Sequence, residues 1–81
     1  MEIKILGTGC QKCKTLEKMT QEVIAENDFN ASITKVEDIM QIMNYGILAT
    51  PGFVINEKVL ISGRLPSKDE IKKQIEKFNN E

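Results

Sequence analysis

Ile3-Lys4-Ile5-Leu6-Gly7-Thr8-Gly9-Cys10-Gln11-Lys12-Cys13 is the stretch that decides how this chain folds. Isoleucine-rich Glu2–Leu6 reads as a strand. Gly7 and Gly9 break it and permit the positive φ of a tight turn. From Cys13 the apolar spacing is helical: Leu16, Met19, Thr20, Val23 and Ile24 fall on one face, with Lys14, Glu17, Lys18 and Glu22 mostly off it. The stretch is therefore a strand, a turn, and a helix that opens on a Cys-x-x-Cys pair.

Downstream, Asn27-Asp28 and Asn30 end the first helix, and Ala31–Val36 reads as a second, short strand. Asp38 with Gln41 has the spacing of a capping box. Ile39, Met40, Ile42 and Met43 then predict a short helix whose methionines face the core, stopped at Gly46. Tyr45 is expected at a partly exposed rim. Phe53-Val54-Ile55 and Val59-Leu60-Ile61 flank the turn Asn56-Glu57-Lys58 and predict a hairpin closed by Gly63 and Pro66. Ser67 with Glu70 is a second capping box, and Ile71, Ile75 and Phe78 line the inner face of a last helix. Asn79-Asn80-Glu81 should fray. The predicted order is βαβαββα. The first two strands, joined by a helix, should be parallel with a right-handed crossover. The last two are antiparallel. The expectation is an α/β fold: a mixed four-stranded sheet with three helices, on both faces, in one domain spanning 1–81.

Composition narrows the chemistry. Of the 81 residues 41% are hydrophobic and 28% charged, and the net charge is −1. Nothing here attracts nucleic acid or an anionic membrane. No apolar run approaches the roughly 20 residues of a membrane span. Met1–Leu6 lacks the basic region and apolar core of a signal peptide. A cytoplasmic, monomeric protein is expected. The chain has no histidine, which removes Cys–His nucleophile chemistry and histidine ligation of metals.

Cys10 and Cys13 are the only cysteines. A bridge between them closes so short a loop that chain entropy credits it with only about 2 kcal/mol, and a reducing compartment disfavours a purely structural disulfide. A zinc site needs a second half, which is missing. The strand–turn–helix setting favours redox work. At a helix N-terminus the unpaired N–H groups and the partial positive charge stabilise a Cys10 thiolate. Cys13, one turn further in, is more shielded. Cys10 is thus the expected attacker of a substrate disulfide and Cys13 the resolver, with Lys12 as a tuning charge. Thr50-Pro51 is the second signal. A proline just before an apolar strand makes sense as a cis proline beside the Cys turn, with the Thr50 backbone able to pair with an extended substrate in β fashion.

These residues resemble the thioredoxin superfamily, and within it the short thioredoxin/glutaredoxin-like redox-active disulfide proteins. The likeness rests on Gly9-Cys10-Gln11-Lys12-Cys13 after the first strand, on Thr50-Pro51-Gly52-Phe53-Val54-Ile55-Asn56, and on Gly63. It spans Ile3 to Phe78. It implies a thiol–disulfide oxidoreductase with Cys10 as nucleophile, Cys13 as resolving cysteine and Pro51 as the cis proline beside them. It further implies no cofactor or metal in the domain itself. Electrons would come from a flavin thioredoxin reductase or a small thiol and pass to disulfide-containing protein substrates. Gln11-Lys12 stands where typical thioredoxins have Gly-Pro and glutaredoxins Pro-Tyr, and Ile3–Leu6 offers no counterpart of the buried acid of thioredoxin.

Heavy-metal-associated domains, which bind Cu(I) with two thiolates, also place Cys-x-x-Cys at a helix start after strand one. They have methionine where this chain has Thr8, and they run βαββαβ. A redox-inert module holding an extended peptide at Pro51 is a third reading, opposed by the intact dithiol.

Overall fold

The computed structural model describes residues 1–79. The elements are β1 (Glu2–Leu6), α1 (Gln11–Asn27), β2 (Ser32–Val36), α2 (Ile39–Asn44), β3 (Gly52–Ile55), β4 (Lys58–Ser62) and α3 (Lys68–Asn79). The order is βαβαββα as the sequence predicts, and α3 as the last described element separates the fold from the βαββαβ of the metal-carrier reading. Asn79 closes α3; Asn80 and Glu81, where fraying was also expected, lie outside the described residues. No described helix is long and apolar enough to cross a membrane.

The sheet order is β2-β1-β3-β4. β1 pairs in parallel with β2, Ile5 opposite Lys35 and Leu6 opposite Val36. It pairs antiparallel with β3, Ile5 opposite Phe53 and Leu6 opposite Gly52. The β3–β4 hairpin turns on Asn56 and Glu57, both at positive φ (48° and 70°), as a two-residue turn matched to strand twist requires. A bulge follows: Phe53 faces Ile61 but Val54 faces Val59.

Alternation divides the core between the two faces of the sheet. On one face Ile3, Ile5, Phe53, Ile55 and Ile61 pack with Leu16 and Val23 of α1 and Ile71 and Ile75 of α3. On the other, Leu6, Val36 and Val54 meet Ile42 of α2 and Ile47. α3 starts on the complete capping box: the Glu70 N–H donates to Ser67 Oγ at 3.1 Å, and the Ser67 N–H to Glu70 Oε1 at 3.4 Å.

α2 departs from expectation in two ways. Asp38 is its N-cap, but Asp38 Oδ1 accepts from the Met40 N–H at 2.8 Å, the N2 rather than the N3 donor, so the box with Gln41 does not form. Met40 and Met43 are not core residues. They are 68% and 62% exposed, Ile39 is 60% exposed, and only Ile42 is buried. A helix of six residues shows its sheet barely one turn of side chains, and Ile42 fills that place.

Half-buried Tyr45, at the rim as expected, is tied to β1. Lys4 Nζ donates to the Tyr45 hydroxyl at 3.0 Å and to Glu57 Oε1, and that hydroxyl donates to Glu57 Oε2 at 3.0 Å. The Lys4 bond, followed by that of Tyr45, holds the Glu57 carboxyl below its ordinary value of 4.5. The Glu57 bond, followed by that of Tyr45, holds the Lys4 ammonium above the ordinary lysine range. A depressed carboxyl stabilises the fold fully above its unfolded-state value, and the contribution is lost as pH falls through the folded one. The urea midpoint is therefore expected to fall on acidification below pH 4.5, and Glu57→Gln to lower the midpoint near neutrality while flattening that acid decline.

Candidate active site

Gly7 marks where β1 stops and the site begins. Its N–H still donates to the Val36 carbonyl at 3.0 Å, so the turn is anchored to the β1–β2 pair. A Cβ on Gly7 would overlap the Cys13 sulfur; the missing side chain is the space in which that sulfur sits. Gly9, at φ +87°, then swings the chain so that Cys10 enters α1 as its N-cap in an extended conformation. Cys10 Sγ accepts from the Cys13 N–H at 3.3 Å. An N-cap serine oxygen satisfies a free donor of the first turn in the same way.

The two sulfurs are bonded to each other, with Cα atoms 5.1 Å apart. Their surroundings differ. Cys10 is exposed, whereas Cys13 is 6% exposed. Gln11 and Lys12 between them point to solvent, and Lys12 makes no ion pair among the described residues.

The Thr50-Pro51 peptide bond is cis. Pro51 is buried, and its carbonyl accepts from the Gly63 N–H at 3.0 Å. The position of a Gly7 Cβ, next to Cys13, is 3.9 Å from the Thr50 Cβ, so this loop and the Cys turn meet at one end of the sheet. Half-buried Thr50 gives neither its N–H nor its C=O to a backbone partner among the described residues. The structure thus brings Cys10, Cys13, Thr50 and Pro51 together.

Sequence reasoning missed two parts of this region. Leu48, two residues before Thr50, is fully exposed; with Ile39, Met40 and Met43 it gives the α2 side of the molecule an apolar surface. Lys35 and Glu37 share a small cavity with Cys13, which only the parallel register reveals. The larger groove, about 570 Å³ and bounded by Lys4, Gln41, Tyr45 and Glu57 among others, reaches neither cysteine.

Comparison with known proteins agrees with this geometry. A family model described as the Thioredoxin domain matches residues 1–76. The chain is 41% identical over 73 residues to a protein named thioredoxin from Methanothermobacter thermautotrophicus, covering 90% of this chain and 95% of that one. It is 32% identical over 76 residues to a thioredoxin from Methanocaldococcus jannaschii, covering 94% of this chain and 87% of that one. A probable thioredoxin from Archaeoglobus fulgidus is 31% identical over 72 residues, covering 85% and 78%. The chain belongs to the thioredoxin family, and it is a thiol–disulfide oxidoreductase that reduces protein disulfides through the Cys10–Cys13 dithiol.

Proposed function

We propose that Cys10 is the attacking and Cys13 the resolving cysteine, in a cycle that carries two electrons from a reductase to a protein disulfide. The difference in exposure carries this reading: Cys10 is an exposed residue and Cys13, 6% exposed, is a buried one. The Cys10 thiolate, facing the unpaired N–H groups of α1, attacks one sulfur of the substrate disulfide. A Cys10–substrate disulfide forms and the other substrate sulfur leaves as a thiolate. The Cys13 thiolate then attacks Cys10 Sγ. The Cys10–Cys13 disulfide forms and the second substrate thiolate leaves. The protein is oxidised by two electrons and the substrate reduced by two.

Thr50 and Pro51 form the substrate-binding edge in this reading. The unengaged Thr50 backbone offers a donor and an acceptor to an extended polypeptide. Lys12, one residue before Cys13, adds positive charge beside the Cys10 thiolate. A flavin thioredoxin reductase or a small thiol reduces the Cys10–Cys13 bond again. The protein works as a cytoplasmic monomer whose single domain spans 1–81.

The test is a titration of the dithiol in defined thiol buffers, with alkylation to read each cysteine. A reversible two-electron transition is expected, with Cys10 alkylated faster than Cys13 and at lower pH. Thiols that form no reversible disulfide, or that Cu(I) or zinc alone protects, would overturn it in favour of a metal carrier.

A further inference from the structure

Gly7 and Gly9 are glycines for different reasons. Gly9 needs its φ of +87°, which side-chain-bearing residues rarely adopt. Gly7 does not lie at positive φ, so its backbone does not itself demand glycine. What is missing at Gly7 is room. A Cβ there would stand 3.0 Å from Cys13 Cβ and overlap Cys13 Sγ.

The backbone on either side of this contact is held in place. Leu6, just before Gly7, is fully buried and pairs with Val36 on one side and Gly52 on the other. The Gly7 N–H donates to the Val36 carbonyl at 3.0 Å. Across the contact, α1 is seated by fully buried Leu16 and Thr20. Its first turn is closed by the Lys14 N–H on the Cys10 carbonyl at 3.1 Å and by the Cys13 N–H on Cys10 Sγ at 3.3 Å. Thr50 Cβ lies 3.9 Å from the same methyl position. Strand end and helix start therefore keep one spacing, and the Cys13 sulfur is the part that can move, by turning about its Cα–Cβ bond.

That bond has three staggered positions. The one Cys13 takes lays its sulfur over Gly7 and in bonding contact with Cys10 Sγ, and a disulfide tolerates little change in the directions of its two Cβ–S bonds. We propose that Gly7 is a positioning residue for the redox reaction. By lacking a side chain it lets the Cys13 sulfur lie against the strand end within reach of Cys10. It thereby sets how fast the mixed disulfide resolves and how stable the Cys10–Cys13 bond is. The inference rests on Cys13 being the resolving cysteine. In that step the Cys13 thiolate supplies the electron pair of the new bond to Cys10 Sγ, the Cys10–substrate S–S bond breaks, and the departing sulfur keeps that bond's electrons. Gly7 takes no part in the bond-making and acts only through where Cys13 Sγ stands. A methyl group on it opposes the bonded arrangement more than the reduced one, because a free Cys13 thiol can turn away and a bonded sulfur cannot.

The test is Gly7→Ala, read in two ways. Reduced protein reacts with 5,5′-dithiobis(2-nitrobenzoate), an aryl disulfide that releases a coloured thiolate at each step. The first release reads attack by Cys10 and the second reads attack by Cys13. The variant is expected to keep the first phase and to slow the second roughly tenfold, the scale of forcing one side chain out of its rotamer. In defined thiol buffers its Cys10–Cys13 bond should be roughly tenfold easier to reduce, which raises the potential by about 30 mV. A second phase or a potential equal to that of the wild type overturns the inference. So does an equal slowing of both phases, the mark of a turn distorted as a whole. Should Gly7→Ala fold poorly, its combination with Cys13→Ala decides. With the sulfur gone, the urea midpoint should return close to that of Cys13→Ala alone, and a midpoint well below it overturns the inference by placing the need for glycine in the backbone. Absence of a second phase from the wild-type protein would remove the resolving role itself, and the inference with it.

Discussion

Replacing Cys10 by serine is expected to lower the reduction of a protein disulfide by on the order of a thousandfold or more, the scale of losing a nucleophile. Cys13→Ser should act differently. Cys10 sits exposed at the head of α1 and still attacks, but no second thiol remains to release the substrate. The variant should accumulate a covalent adduct, visible by mass as protein plus one substrate chain and cleared by excess dithiol. The pair of outcomes is the informative part, because both variants lose turnover and only one stores a partner. Equal, partial losses in both, with no adduct in either, would contradict the division of roles.

The second large effect concerns stability. Phe53 is fully buried in β3, opposite Ile5 and Ile61, in the cluster to which α1 and α3 contribute Leu16, Val23, Ile71 and Ile75. Phe53→Ala removes the largest side chain of that core and is expected to cost about 3–5 kcal/mol. A chain of this length is stable by roughly 4–12 kcal/mol, so the loss removes between about a quarter and all of that stability. The variant's denaturant midpoint should fall in the same proportion. A drop under about 1 kcal/mol would mean that this face repacks without its aromatic residue.

Much of this could be read from the sequence because the signals are local. The ends of β1 follow from isoleucines meeting Gly7. The start of α3 follows from Ser67 and Glu70, whose reciprocal bonds need only their own spacing. The hairpin and the meeting of the Thr50-Pro51 loop with the Cys turn follow from adjacency of short elements. α2 was harder. Its four apolar residues look alike in a string, and nothing local says that Ile42 alone turns inward while Ile39, Met40 and Met43 face solvent. Asp38 was recognised as a cap, yet which N–H it receives depends on the entry of the chain from β2. Glu37 was out of reach because its place beside Cys13 is a property of the β1–β2 register, between segments separated by the whole of α1. Leu48 reads as an interior residue by chemistry; it is exposed because Ile47, one position earlier, takes the core site.

β4 has a further consequence through its bulge. It is an outer strand of the sheet, and an outer strand displays unpaired N–H and C=O groups to any passing extended chain. A protein that reduces disulfides in other polypeptides has to bring chain segments close to its own surface. The extra residue between Val59 and Ile61 breaks the even rhythm of β4, and Lys58 at its start adds a charge that a neighbouring strand would have to bury. A bulged, charged border is a poor template for stacking and fibre growth. The irregularity guards the open border of the sheet against strand addition by another chain.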